Sequence, residues 1–173
     1  NAYGDDYLNI IRSNFSIKNS EFSNIVMDAF DSDFSKGVME NSYFNNINND
    51  ALDFSESEVD GKNLKIIEVR DKGISVGERS IIRLENVLIA NTQSAFVSKD
   101  LSNLVCTKCF VKESNTTAAA YVKKGEYGPA KIEFYDLVVD NDFENIFVEN
   151  KSLISIDGKN MPISKIDFSR FKN

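Results

Sequence analysis

The chain lacks histidine and tryptophan altogether, and it contains only two cysteines and two prolines among 173 residues. Cys106 and Cys109 therefore have no histidine with which to complete the roughly four ligands of a zinc site. No apolar run approaches the roughly 20 residues that cross a bilayer, which excludes a membrane-spanning helix. No stretch rich in Pro, Gly or Ser resembles a linker, so we predict one domain over residues 1–173.

Basic residues are the minority charge, with 20 Lys and Arg against 27 Asp and Glu and a net charge of −7. Nucleic-acid binding requires a clustered basic surface, so no nucleic-acid partner is expected. The first residues also lack the basic-then-apolar layout of a signal peptide. Because Asn1 enters a repeat already under way, we expect part of a longer chain, with further N-terminal coils or a stacking subunit on the open first coil.

The spacing Cys106-Thr107-Lys108-Cys109 is also that of redox-active cysteine pairs, which lie near a junction between a strand and a helix. No helix is predicted there, so a redox pair is disfavoured. Two buried or half-buried thiols and a local disulfide remain as the alternatives.

One short pattern recurs five times at an interval of 22 residues. In each copy a small residue or Tyr7 precedes a large apolar residue, and in three copies the residue two positions later is apolar again: Ile10, Phe54 and Val76. The large apolar positions are Leu8, Phe30, Leu52, Ile74 and Phe96. Alternation with a period of two is typical of a strand with one face in a core.

A second apolar stripe follows the same interval, so each coil is predicted to contain at least two strands. Its members are Phe22, Phe44, Ile66, Leu88 and Phe110, with Ile25, Ile47 and Val69 after the first three. A third series consists of Asn19, Asn41, Asn63 and, with one residue of slack, Asn86. Stacked asparagines form amide ladders, and asparagine also favours left-handed turns, so both interpretations are kept.

Beyond Ala95 the interval is predicted to lengthen to 25 residues, because the best matches to that copy are 120–123 and 145–148. Longer turns carry variation and binding loops in repeat proteins, which directs attention to 113–117 and 123–129. The end of the chain, 161–173, is predicted to be a cap or tail.

These periods exclude helical repeats, which need 33 to 47 residues and helical spacing of apolar residues. A leucine-rich repeat is the runner-up, but its Leu-x-x-Leu-x-Leu frame does not recur. We therefore predict an all-β solenoid, a parallel β-helix of about seven coils with 22–25 residues each.

Three segments carry a resemblance to a known family: Asp71–Glu78, Ser98–Ser102 and Ala120–Lys124. They resemble bacterial right-handed parallel β-helix repeat proteins of the pectate-lyase-like superfamily, and the resemblance extends over nearly the whole chain. It implies a right-handed β-helix with a long lateral groove that holds several sugar units, in an extracellular or cell-surface protein. That superfamily includes lyases, hydrolases, epimerases and non-catalytic domains.

Two vertical rows of acidic residues are the candidate catalytic site: Asp28, Asp31, Asp50, Asp53 and Lys72. Stacked coils bring equivalent positions about 4.8 Å apart, so neighbouring carboxylates are able to share a proton, to hold Ca²⁺ or to act as an acid and a base. Lys72 either lowers neighbouring carboxylate pKa values or serves as a lyase base if its own pKa is depressed. The alternative is a solvated acidic face.

The absence of histidine disfavours hydrolase and epimerase mechanisms of that superfamily, whose patterns include histidine. A calcium-assisted lyase does not need histidine, and its base would be Arg70, Lys72 or Arg83. No metal-ligand set is assigned, and calcium is the one cofactor left open.

The candidate sugar-binding residues combine aromatic rings with charged groups in the lengthened loops: Lys99, Asp100, Tyr121, Lys123, Lys124 and Tyr127. The alternative for Tyr121 is a core position equivalent to Phe96. Three functions follow, in order of preference: a non-catalytic domain that binds or helps process a polysaccharide along its side, a polysaccharide lyase, epimerase or hydrolase, and a structural spacer.

Overall fold

Residues 6–140, 145–165 and 168 are described by a computed structural model of the protein. This part of the chain consists of strands, with no α-helix, and its parallel coils stack into a β-solenoid of about seven turns, as predicted. No helix in this part is long and apolar enough to cross a membrane. The strands are β1 Asn9–Ile11, β2 Asn14–Lys18, β3 Glu21–Ile25, β4 Phe30–Asp33, β5 Lys36–Ile47, β6 Leu52–Ser55, β7 Glu58–Gly77, β8 Ile81–Lys99, β9 Asn103–Lys112, β10 Thr116–Tyr121, β11 Lys131–Val139, β12 Ile146–Val148, β13 Leu153–Ile156 and β14 Lys159–Asn160.

Each coil contributes strands to three faces, which agrees with the prediction of at least two strands in each coil. Face A stacks β1, β4, β6, the ends of β7 and β8, β10 and β12. Face B stacks β2, the beginnings of β5, β7, β8, β9 and β11, and β13. Face C stacks β3 and the later parts of β5, β7, β8, β9 and β11. All these pairings are parallel.

The core is a column of large side chains that point inward from all three faces. Phe30, Leu52, Ile74 and Phe96 are fully buried, as the alternation predicted. Phe22 and Phe44 stack with their ring centroids 4.8 Å apart, which is close to the coil spacing. Burial of each such side chain contributes about 1.5–3 kcal/mol, so the stack holds the faces together.

The corner between faces B and C carries the predicted asparagine ladder. The Asn41 amide donates to Asn19 Oδ1 (3.3 Å), Asn63 to Asn41 (2.8 Å) and Asn86 to Asn63 (2.7 Å). The same four residues have φ between 51° and 56°, so the ladder and the left-handed turn are both present. A second ladder, in which Asn46 donates to Asn24 Oδ1 at 2.8 Å, was not predicted.

The second apolar stripe was predicted wrongly beyond Ile66. The coil spacing changes from 22 at Ser55–Gly77 to 23 at Glu58–Ile81, because the turn 78–80 contains one additional residue. Ile66 therefore pairs with Ile89, while Leu88 and Phe110 lie on the outer surface. A slip of one residue moves a side chain to the opposite face of a strand.

The lengthening of the later coils was also placed wrongly. Ser94 still pairs with Thr116, at an interval of 22, and the next step from Ala118 to Ile146 is 28 residues. One turn, 122–130, has therefore grown by about six residues, instead of two turns by three each. The small residues Ala118, Ala119 and Ala120 fit either register, so hydrophobicity alone did not choose between them.

Cys106 and Cys109 form a disulfide, which was one of the two alternatives kept from the sequence. Both are fully buried in β9. At the other end of the described chain, the Ser164 N–H donates to the Val148 carbonyl at 2.9 Å, so the segment after β14 packs on the last coil. Residues 166, 167 and 169–173 of the predicted cap lie outside the described part, and the capping role stays a prediction.

Candidate functional site

The outer side of face A brings together most of the predicted site residues. One outward column follows the register through Asn9, Asp31, Asp53, Ser75, Val97, Ala119 and Phe147. The column is polar at the N-terminal end and apolar at the C-terminal end. Val97, Ala119 and Tyr121 pack under Phe168. These four residues form a small apolar cluster that is separate from the main core.

The first acidic row is built into the backbone. Asp28 Oδ1 accepts the Asp50 N–H at 2.7 Å, and Asp50 Oδ1 accepts the Lys72 N–H at 3.0 Å. Each carboxylate therefore satisfies a donor of the following coil, at the start of face A. Burial raises the pKa of Asp28 to about 6, although the Asp50 N–H opposes the shift. Burial also raises the pKa of Asp50, and the Lys72 ammonium group opposes that shift.

The second acidic row lies on the outer surface and is half-buried. Asp31 pairs directly with Asp53 in the parallel register, and Asp31 Oδ2 accepts the Asn9 amide at 2.8 Å. Burial and then the neighbouring Asp33 and Asp53 raise the pKa of Asp31 to about 7. Asp31 is therefore about half protonated near neutral pH.

Lys72 is not suited to act as a lyase base, because that role requires a lowered pKa and the pKa of Lys72 is raised. Its ammonium group lies 2.6 Å from Asp71 Oδ2 and 3.3 Å from Asp50 Oδ1. Burial opposes its charge, but these two carboxylates outweigh burial and raise its pKa well above the usual range. A lysine held protonated in this way stabilises negative charge and does not abstract protons.

Lys99 is buried and extends across face A to Ser75, with a distance of 3.0 Å from Nζ to Oγ. A side chain at position 77 would fill the space of this lysine, because a Cβ on Gly77 would lie 2.9 Å from Lys99 Cε. Burial and then the positive charges of Lys99 and Lys72 lower the pKa of Lys123. Lys123 therefore lies within electrostatic range of Lys99, Lys72 and Asp53.

The predicted binding loop folds back over earlier coils. The fully buried Asp100 accepts the N–H groups of Lys123 and Lys124, each at 2.7 Å, through Oδ1. Lys124 forms an ion pair with Glu78, and the Tyr127 hydroxyl donates to Glu56 Oε1 at 3.3 Å. The loop 122–130 thus braces the corner between faces A and B.

The ring of Tyr121 is fully buried. This agrees with a packing role, but the predicted equivalence to Phe96 was wrong, because Phe96 pairs with Ala118 and Tyr121 pairs with Lys99. Of the other predicted binding residues, Lys123 and Lys124 are exposed and Tyr127 is half-buried. Their role in binding stays a prediction.

No group of three or more carboxylates among the described residues is arranged to hold a metal ion. The calcium site suggested by the acidic rows stays a prediction. Of the other base candidates, Arg83 pairs with Glu58 and Asp60 on face B, at 3.1 and 3.2 Å. Arg70 lies at a different corner, between faces C and A.

The sequence did not predict two features of the site. The Ser75–Lys99 contact depends on Gly77, and no spacing in the sequence marks it. Glu78 accepts from Ser55 at 2.6 Å and pairs with Lys124, and these partners meet only after the loop folds back. The 22-residue interval did identify the acidic rows.

No protein-family model matches the chain, and a search of curated proteins finds no significant match.

Proposed function

We propose that the chain is a β-solenoid domain that binds a polysaccharide along the outer side of face A. The observation that carries this proposal is the stacking of like charges: Asp31 lies directly beside Asp53 in a half-buried position. Like charges in register destabilise a sheet, so their presence needs a compensating role. Carboxylates spaced at the coil interval are suitable acceptors for the hydroxyl groups of a sugar chain.

The lysines beside Asp53 support an acidic polysaccharide over a neutral one. Lys123 is exposed, and Lys99 and Lys72 are close enough to lower its pKa. A carboxylate or sulfate group on the polymer would pair with the exposed Lys123, and hydroxyl groups of the adjacent sugars would be the partners of Asp31 and Asp53. The buried disulfide supports an extracellular or cell-surface location, since disulfides persist in oxidising compartments.

A panel of immobilised neutral and acidic polysaccharides tests the proposal. We expect the chain to bind at least one acidic polymer and the double variant Asp31→Asn/Asp53→Asn to lose at least tenfold in affinity. The matched control is Glu58→Gln/Glu85→Gln, which removes two carboxylates from face B. Equal binding by the two double variants, or no binding by the unmodified chain, would contradict the proposal.

A second candidate is acid–base cleavage of the same polymer. It is favoured by the pKa of Asp31, which at about 7 lets this residue donate a proton near neutral pH beside a second carboxyl group. Release of reducing ends or unsaturated products from the polymers that bind would support cleavage. If polymers bind but none is cleaved, the domain is a binding module. If no polymer binds, the domain is a spacer.

A further inference from the structure

A cavity lies away from face A, at the corner where face C turns toward face A. This corner groove has a volume of about 540 Å³, within the range of about 300–1,000 Å³ that is typical of ligand sites. Its floor is formed by the buried residues Val69 and Thr92. None of the residues proposed for the face A site lines it.

Two rows of exposed polar side chains form the walls of the corner groove. The first row consists of left-handed corner residues, one from each of four successive coils: Asn46, Glu68, Asn91 and Glu113. The second row consists of Arg70, Gln93 and Asn115, and the Asn115 amide donates to Gln93 Oε1 at 2.7 Å. Hydrogen-bonding groups thus repeat along the groove at the coil interval of about 4.8 Å.

A β-bulge separates the corner groove from face A. Val69 pairs with Thr92 and Lys72 with Ser94, so Arg70 and Asp71 together face the single residue Gln93. Asp71 pairs with Lys72 on the face A side, while Arg70 lines the groove. Bulges are frequent beside binding sites because they redirect a side chain. This bulge places Arg70, the one cation among the described lining residues, in the groove.

The charges in the groove limit what it accepts. Arg70 forms no ion pair with any described carboxylate, and Glu68 and Glu113 likewise lack a cationic partner among the described residues. A ligand carboxylate would pair with Arg70 in two parallel hydrogen bonds. A polymer with a carboxylate on every sugar would also set negative charges against both glutamates.

We propose that the corner groove is a second carbohydrate site, independent of face A, which takes a sparsely acidic oligosaccharide with one carboxylate on Arg70. The amide and carboxylate walls supply partners for hydroxyl groups, and an apolar ligand would leave them unsatisfied. The domain would then hold two segments of sugar chain on different sides.

Calorimetric titration with a tetrasaccharide of alternating glucuronate and N-acetylglucosamine tests this site. We expect Arg70→Gln to weaken binding at least tenfold. Arg83→Gln, which removes an exposed arginine that is already paired on face B, should leave binding unchanged. Equal melting temperatures for the two variants, together with a shift of the Arg70 Nε–H signal on titration of the unmodified chain, exclude a folding effect.

Two further arms separate this proposal from the face A proposal. In the Asp31→Asn/Asp53→Asn variant, tetragalacturonate, with a carboxylate on every sugar, should bind at least fivefold more weakly than the alternating tetrasaccharide. The Asp31→Asn/Asp53→Asn variant should retain the binding that depends on Arg70. Three outcomes would each overturn the groove proposal and leave the face A test unaffected. They are unchanged affinity of Arg70→Gln, stronger binding of tetragalacturonate than of the alternating tetrasaccharide by the Asp31→Asn/Asp53→Asn variant, and no binding of the alternating tetrasaccharide.

Discussion

Faces A and B belong to the same coils and follow parallel registers, yet they arrange charge in opposite ways. On the outer side of face B, unlike charges lie opposite one another: Lys18 with Glu40, Lys36 with Glu58, Asp60 with Arg83 and Lys62 with Glu85. On the outer side of face A, Asp31 lies opposite Asp53 and both are half-buried. The outward charges of face B pair with one another, whereas Asp31 and Asp53 on face A form no ion pair with any described residue.

The contrast in charge between the two faces distinguishes features that the solenoid fold requires from features that it does not require. A solenoid needs an apolar inner side and corners whose polar groups are hydrogen-bonded, and both faces meet these requirements equally. Exposed ion pairs contribute only about 0–1 kcal/mol each, so face B is a solvated surface. The unfavourable carboxylate stack on face A has no such structural explanation, which makes it the better candidate for function.

The inner sides of both faces share one core, so the largest effect is expected from a charge placed there. Leu52→Asp should destabilise the chain by about 4 kcal/mol or more, because Leu52 is fully buried in face A. Ile81→Asp changes an exposed residue of face B and should alter stability by about 1 kcal/mol or less. Urea unfolding measures both. Equal midpoints for the two variants would contradict the inward and outward assignment.

The corner that joins the two faces is expected to show the next largest effect. Asp100→Ala should cost about 2–4 kcal/mol, because it leaves the Lys123 and Lys124 N–H groups without their acceptor. Asp136→Ala is the matched control, since Asp136 has nearly the same φ, 59° against 58°, but an exposed side chain. A cost that is the same in both variants would mean that backbone strain, and not the carboxylate, accounts for it.

Replacement of the half-buried carboxylate of face A should stabilise the protein. The pKa of Asp31 in the folded protein is about 7, whereas the ordinary pKa of an aspartate is 3.8, so the contribution of Asp31 to stability falls as pH rises from about 4 to about 7. Asp31→Asn should therefore be about 1–2 kcal/mol more stable than the unmodified chain at pH 8, after allowance for solvent screening, and similar at pH 4. Urea unfolding across this range checks the sign. If Asp31→Asn is less stable than the unmodified chain at pH 8, the claim that Asp31 and Asp53 stack unfavourably is wrong.

The smallest effect is expected on face B. Glu85→Gln removes the exposed pair with Lys62 and should change the free energy of unfolding by about 0.5 kcal/mol or less. Unfolding at low and high salt concentration should give nearly the same difference between the variant and the unmodified chain. A loss above about 1.5 kcal/mol would show that face B is more than a solvated surface.

The sequence predicted the solenoid because a fixed interval and alternating apolar residues impose parallel stacking. The same interval identified the acidic rows and the asparagine ladder. It did not predict the position of the insertion, since Ala118, Ala119 and Ala120 fit two registers. The corner groove was also missed, because it depends on left-handed corners and on a bulge at Arg70 that no spacing in the sequence marks.

Titration of the aspartate carboxyl carbons by nuclear magnetic resonance tests the contrast between the faces most directly. The account predicts that Asp31 titrates near pH 7, because it is half-buried beside Asp33 and Asp53. The midpoint should fall toward the ordinary value in an Asp53→Asn variant, since one of the neighbouring negative charges is then absent. Titration of Asp31 near pH 4 in the unmodified chain would contradict the claim that Asp31 and Asp53 form an unfavourable stack of carboxylates on face A.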